Sequence, residues 1–376
     1  MVSENWCRNI IRIESEQMFV EELKNNKEWE NFLKATPGGT FFHSLKWKNV
    51  LERSFSHPTL YLVVKDEDGR LAGICPTVIL TSRRTKILNS LPYSDLGGPV
   101  MEKRNVEKAS LSLLRFMEEF SRAKGISCAK MCFLKDESEQ FFKSSRCYVD
   151  NNKGIVELDL EAKPSAFIWD KIFRQKHRKK IKRFERDGFQ VREASTKSDM
   201  KEFLTLYYQN MKYIGGRARP YMFFENVWNL LYPENFGILV VEKRRMVGGL
   251  AFFKHHQTIY LTFLGMDRKL LSSRYTVAPA LYWSAIKWAE KNSFRYVCFG
   301  STPSHPKSAR QRTNYSQKVM FGGSFLQQET IFVPFDFYAS AILLLGSKTI
   351  MAWKMMRKAL PAKLQQTMES RFRGIF

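Results

Sequence analysis

The sequence predicts an α/β chain of mixed sheets, built as two repeats of one arrangement and followed by a basic helical tail. Three observations carry this expectation. The segments "YLVVKDEDGRLAGICPTVIL" (61–80) and "GILVVEKRRMVGGLAFFK" (237–254) both read as strand, charged turn, strand. Their residues correspond: Val63-Val64 to Val240-Val241, offset 240 − 63 = 177, and Gly73 to Gly248, offset 248 − 73 = 175. Finally, 376 residues are more than one core comfortably fills.

The elements follow in the same order in both halves. The first half opens with a helix at "SLKWKNVLERSF" (44–55). Its hairpin is followed by a helix over 106–125, with an apolar stripe at Leu113, Leu114, Met117 and Phe120 and a stop at Gly125. "ISCAKMCFL" (126–134) is then a strand. The second half opens on "RQKHRKKIKRFERDG" (174–188), in which eight of fifteen residues are Lys or Arg. Trp169, Phe173, Ile181 and Phe184 share one helical face with His177, so an amphipathic helix is expected over 169–184, starting near 169–171 and closed by Gly188. A strand at 189–194 follows it. The second hairpin then leads to a helix at 277–292 and a strand at 294–300. Recurrence of order, spacing and turns together indicates tandem duplication, with domains at 1–160 and 161–335 and a basic amphipathic helical extension at 336–376.

Composition narrows the partners. Lys and Arg number 61 against 37 acids, a net charge of +24, which favours an anionic, phosphate-containing partner without choosing among nucleotides, tRNA, phospholipid head groups and phosphosugars. The six cysteines are scattered, as suits a reduced compartment; Cys128 and Cys132 stand on one face of a strand and read as structural thiols, so no metal site is expected. The start of the chain lacks a cationic, then long apolar pattern, and no run of about 18 uncharged apolar residues appears. A cytoplasmic location follows as the expectation. The tail carries seven Lys or Arg against one Glu between apolar clusters, a pattern that suits either peripheral contact with the inner face of the membrane or packing on the protein. Hydrolase, metalloprotease and NTPase motifs are absent from the sequence, as are the motifs of sequence-specific DNA binding.

Several segments, in order, resemble the FemAB-like branch of the GNAT acyltransferase superfamily, which includes peptidoglycan-bridge aminoacyltransferases and exopolysaccharide-associated relatives. They are "FFHSLKWKNVL" (41–51), "LPYSDLGGPVM" (91–101), "RKKIKRFERDGFQVRE" (178–193), "GGRARPYMFFENVW" (215–228), and "YVCFGSTPSH" (296–305) followed by "YSQKVMFGG" (315–323). The resemblance covers about 38–335 and implies tandem GNAT-like acyl-CoA N-acyltransferase domains. It also implies transfer of an acyl or aminoacyl group to an amine of a nucleotide- or lipid-linked cell-surface precursor. The chain departs from the pattern at Leu51, where a Lys is usual, at Cys298, where the family's "DFG" has Asp, and at Gln317. The acetyl-CoA loop "(Q/R)-x-x-G-x-(G/A)" is missing; its place holds "RKLLSSRYTVAP" (268–279). No tightly bound cofactor is expected, and the acyl donor is either acyl-CoA or aminoacyl-tRNA.

Acyl transfer to an amine needs few reactive side chains, because the donor arrives activated; what it needs is positioning and a cation or N–H donor at the developing oxyanion. The resemblance implies Lys318 as that cation and Arg178 as a grip on substrate phosphate, since a guanidinium fork suits phosphate. Arg217, Arg219 and Tyr221, in a Gly-rich loop between two helical segments, suit a second anionic group or a sugar. Tyr260 and Tyr315 are candidates to line a groove, and His305 is a candidate general base. Two other function classes stay open from sequence: a non-catalytic GNAT-fold scaffold, and a basic protein binding nucleic acid or a membrane surface.

Overall fold

The computed structural model describes residues 18–82, 85–141, 147–269 and 277–336. The tail beyond 336, the first 17 residues and 270–276 lie outside it, and with them the expectations for the tail, the N-terminus and most of "RKLLSSRYTVAP". The chain divides into two compact units. One comprises the described residues of Met1–Lys48, Ser56–Asn151 and Gln328–Phe376, the other Asn49–Phe55 and Asn152–Gln327.

In the first unit the chain runs β1 (Phe19–Glu22), α1 (Asn26–Ala35), α2 (Leu45–Phe55, whose last seven residues belong to the second unit), β2 (Thr59–Lys65), β3 (Leu71–Ser82), β4 (Thr85–Asn89), β5 (Val100–Met101), α3 (Val106–Lys124), β6 (Cys128–Leu134) and α4 (Lys135–Phe141). Asn25 starts α1 by accepting from the backbone N–H of Lys27 and Glu28, and Gly125, at φ +62, closes α3 as its sequence suggests. β2 is buried on both faces, which is why "LYLVV" has no polar alternation. Leu62 and Val64 join Leu113 and Met117 of α3 in one core, while Tyr61 and Val63 join Trp29, Phe32 and Leu33 of α1 in another.

The chain continues through β7 (Tyr148–Asp159), α5 (Ser165–Phe167), α6 (Gln175–Arg186), β8 (Gln190–Glu193), α7 (Lys197–Ile214), α8 (Tyr221–Leu231), β9 (Phe236–Lys243), β10 (Arg245–His255), β11 (Thr258–Met266), α9 (Val277–Lys291), β12 (Tyr296–Pro303), α10 (Ala309–Val319) and β13 (Ser324–Pro334). The second unit's sheet runs β7-β12-β11-β10-β9-β8, and the first unit's runs β13-β6-β4-β3-β2-β1. The two orders have the same directions, with one parallel pair (β11 with β12, β4 with β6) amid antiparallel ones. The repeat read from the hairpins is therefore a repeat of whole sheets. Its matched residues are cross-strand partners in both copies, Val64 with Gly73 and Val241 with Gly248. Both glycines are required by close packing. A Cβ would come within 1.8 Å of Met101 Sδ at Gly73, and within 2.4 Å of Val277 at Gly248.

One expectation needs correction. The helix foreseen over 169–184 is two pieces. After α5 the backbone makes a π-helical turn over Ile168–Ile172, closed by Phe173 N–H donating to Ile168 O at 2.9 Å. Phe173 and Arg174 then turn extended (ψ 122° and 145°), and α6 begins at Gln175. The break lets Phe173 pack on Trp283 and Phe321 while Ile181 and Phe184 enter the same core from α6. Each such burial contributes about 1.5–3 kcal/mol. Gly188 ends α6 at φ +85 as expected.

Candidate functional site

β11 and β12 pair only briefly. Thr258–Tyr260 lies parallel to Tyr296–Cys298, after which β11 stays with β10 to Met266 and β12 stays with β7 to Pro303. Two bulges divide them. In β11 the register against β10 slips at Thr262, whose hydroxyl donates to Tyr260 O at 2.9 Å. In β12 Phe299 and Gly300 together oppose Val156, with Gly300 at φ +73, a left-handed conformation that glycine adopts without cost. Bulges bend the strand that carries them, and the outcome is a fork between two parallel strands.

The first unit shows what such a fork looks like when filled. β4 and β6 pair over Ile87–Asn89 and Cys128–Lys130. Beyond that the loop "SDLGGP" takes the gap. Ser90 N–H donates to Lys130 O at 2.8 Å, and Gly97 exchanges two backbone bonds with Cys132, 2.9 and 2.8 Å. Among the described residues no backbone segment enters the fork of the second unit in this way.

Lys318 reaches that fork from α10. Its Nζ donates to Ser301 O at 2.6 Å, on the branch of β12 just past the bulge, and the residue is 8% exposed. It is not a solvated surface lysine. α10 is held by Ser308, which caps it through Gln311 N–H, and by Lys163, whose Nζ donates to Gly322 O in the turn that follows. An ammonium fixed beside open strand edges is the group an acyl carbonyl needs.

Tyr260 sits where the strands part. It is opposite Cys298, and Cys298 is opposite Glu157 on β7, so the three form a row across adjacent strands. Their neighbours Ile259, Val297, Val156 and Leu158 point into the core on one face of the sheet, so the row is on the other. Burial pushes the Tyr260 phenol up, with Cys298 and the Glu157 charge adding to it. Burial likewise raises the Glu157 carboxyl, helped by the Asp159 charge. Asp159 itself is held below the usual carboxylate range by the hydrogen bond from Arg295, at 2.9 Å. Sequence reasoning missed Glu157. The signal it gave was an acid in "IVELDL", where every second residue belongs to the core.

The remaining predicted residues are not all in one place. Arg178, half-buried, donates from Nη1 to Trp169 O at 2.8 Å and Asp170 O at 3.0 Å, capping the π-helical turn; α6 packs with α9 in the core on the face opposite Tyr260. Arg217 is exposed, Arg219 N–H donates to Tyr207 Oη at 3.1 Å, and Tyr221 is the first residue of α8, 41% exposed. Their loop is tied to the Tyr260 face, because Tyr207 and Phe224 pack on Phe263 of β11. Tyr315 packs on Phe325 at 6.1 Å. His305 is exposed in the turn after β12, and no partner carboxylate reaches it among the described residues. Of the three departures, Leu51 and Cys298 are buried, each 2% exposed, and Gln317 is half-buried. No group of His, Cys, Asp and Glu among the described residues is arranged to hold a metal.

Comparison with known proteins agrees with this topology. The family model described as Acetyltransferase (GNAT) domain matches residues 171–308. The chain is 22% identical over 284 residues to UDP-N-acetylmuramoylpentapeptide-lysine N(6)-alanyltransferase of Weissella viridescens, covering 70% of this chain and 80% of that one. Among solved structures it is similar to FemX (TM-score 0.64, 14% identity, 83% of this chain and 96% of that one). It is also similar to L-PGS from Bacillus licheniformis (TM-score 0.56, 12% identity, 89% and 98%). A tandem GNAT protein from the clavulanic acid biosynthesis pathway shares the fold as well (TM-score 0.54, 9% identity, 84% and 98%). With its paired sheets, a GNAT-domain match over 171–308 and these relatives, the chain has a tandem GNAT-type fold and is similar over most of its length to FemAB-like acyltransferases.

Proposed function

We propose that this protein transfers an acyl or aminoacyl group to an amine of a nucleotide- or lipid-linked cell-surface precursor, forming an amide. The observation that carries the reading is the buried Lys318 ammonium at the open fork of the second unit. There it stabilises the oxyanion as the amine adds to the donor carbonyl, in a site where little water competes for the charge. The Weissella relative is by its name a lysine N(6)-alanyltransferase of a UDP-linked muramoylpentapeptide, which supports an amine acceptor on a phosphate-bearing carrier. The net charge of +24 suits such a carrier.

Of the two donors, aminoacyl-tRNA is the better supported. The stretch 268–279 contains no glycine, and a loop that cradles a pyrophosphate depends on glycine for close backbone approach. The basic tail is proposed to bring the protein to the inner face of the membrane, where lipid-linked acceptors reside. The test is direct. Purified protein is incubated with UDP-N-acetylmuramoylpentapeptide containing lysine and either alanyl-tRNA or acetyl-CoA, and the acceptor is weighed by mass spectrometry. An alanyl adduct supports the reading in full, and an acetyl adduct moves the donor to acyl-CoA. No adduct from either donor contradicts it.

A further inference from the structure

We propose that Glu157 takes the proton from the acceptor amine during acyl transfer, an inference that rests on the acyl-transfer reading above. Glu157 is half-buried in the middle of β7, and among the described residues no hydrogen-bond donor or cation pairs with its carboxylate. An acid held so carries a cost to the fold, because partial burial strips some of the carboxylate's hydration and no partner among the described residues replaces it. The neighbouring acid on the same strand is treated differently: Asp159 is paired with Arg295 at 2.9 Å. Groups left in this condition mark places where the chemistry needs them.

Its position fits the task. Glu157 ends the row Tyr260–Cys298–Glu157 at the point where β11 and β12 part. Ser301, whose carbonyl anchors Lys318, is opposite Ile155, two residues along β7. Along the strands Glu157 is thus two residues, roughly 7 Å between Cα atoms, from the level of the ammonium's anchor. The reacting carbon would lie between the two, with its oxyanion toward Lys318 and its attacking nitrogen toward Glu157. The turn after α10 passes close to the β7 backbone, on the Val156 side, because residue 323 is glycine. A Cβ there would come 2.7 Å from Val156 and 3.2 Å from Glu157 O. Thr302 Oγ1, buried and without a partner among the described residues, is on the same branch of the fork and gives it a further polar group. The raised carboxyl is also a better base near neutral pH than an ordinary glutamate.

The step balances as follows. The acceptor arrives as an ammonium and gives one proton to the Glu157 carboxylate. The freed amine nitrogen forms the new C–N bond as the ester C–O bond of the donor (or a thioester C–S bond) breaks, the proton it sheds goes to the departing oxygen or sulfur, and Glu157 releases its own proton to solvent.

The experiment is single-turnover transfer from alanyl-tRNA to the lysine-containing UDP-muramoylpentapeptide across a pH series, for wild type, Glu157→Gln and Glu157→Asp, with each fold checked by circular dichroism. Glu157→Gln is expected to lose about 100-fold near neutral pH. That loss shrinks as pH rises toward the amine's own pKa, where unassisted deprotonation takes over, and Glu157→Asp keeps part of the activity. A wild-type rate in Glu157→Gln at every pH overturns the inference. So does a loss by one constant factor at all pH values, which is the mark of a structural role. If wild type itself transfers nothing, the acyl-transfer reading has failed and the inference falls with it. An active wild type with an unaffected Glu157→Gln sinks the inference alone.

Discussion

At the scale of single residues, two titratable groups, Glu157 half-buried and His43 buried, make the fold sensitive to pH in opposite directions. The Glu157 carboxyl is raised by burial, so folding favours its protonated form. Its stabilising contribution is complete below the ordinary glutamate value and is lost as pH rises through the folded-state value. Glu157→Gln is therefore expected to raise the melting temperature at neutral pH and to leave it unchanged near pH 4, as a calorimetric pH series will show. His43 behaves in the reverse sense. It is buried, bonded to Gly98 O at 3.1 Å and to Thr40, and burial pushes its imidazole down to about 4. The neutral ring stabilises the first unit above pH 6.5, and that contribution fades as pH falls from 6.5 toward 4. A difference of this size is worth on the order of 3 kcal/mol. In His43→Gln the acid-side slope of stability should flatten; an unchanged slope would mean that another group carries it.

At the scale of elements, the fork depends on the bulge at Phe299-Gly300. Gly300→Ala forces a side chain into a left-handed conformation at φ +73, at a cost of about 1–3 kcal/mol. The expected outcome is a lower melting temperature together with a drop in transfer larger than the small loss of folded protein explains. A separate element prediction concerns α7, which starts with Thr196 and Asp199 capping each other's backbone N–H. Thr196→Ala should cost about 1 kcal/mol in denaturant unfolding and leave transfer unchanged. Most elements were legible from the sequence because their signals are local: the two hairpins with their matched Val and Gly, and the helix stops at Gly125 and Gly188. The break before α6 was not. The stripe Trp169, Phe173, Ile181, Phe184 is the same whether the chain runs as one helix or as a π-helical turn and a second helix, and the choice is made by Phe173 packing on Trp283 and Phe321.

At the scale of the whole molecule, the repeat and the resemblance were legible, and the proposed site only in part. Lys318 could be found because the "YSQKVMFGG" segment resembles the family's. The fork it serves could not, since it arises from register slips in β11 and β12 that no residue pattern announces. Glu157 was hidden for the same reason: only pairing of β7 with β12 brings it beside Cys298 and Tyr260. Arg178 shows the converse. A motif match implies a phosphate for it, and the structure adds that its Nη1 donates to two backbone carbonyls. The surplus of 61 − 37 = 24 positive charges acts over the molecule as a whole. The KM for a phosphate-bearing acceptor should accordingly rise with added salt between about 0.05 and 0.5 M, while kcat stays nearly constant. A salt-independent KM would leave the charge without a part in acceptor binding.

The most direct measurement is the single-turnover rate of Lys318→Met. Methionine keeps much of the buried stem while removing the ammonium, and the loss of its bond to Ser301 O should cost only about 1–3 kcal/mol in stability. With the fold intact and acceptor affinity within a few-fold of wild type, transfer is expected to fall by about 10²–10³-fold. A folded Lys318→Met that transfers at nearly the wild-type rate would contradict the assignment of the fork in the second unit as the place where the acyl group is transferred.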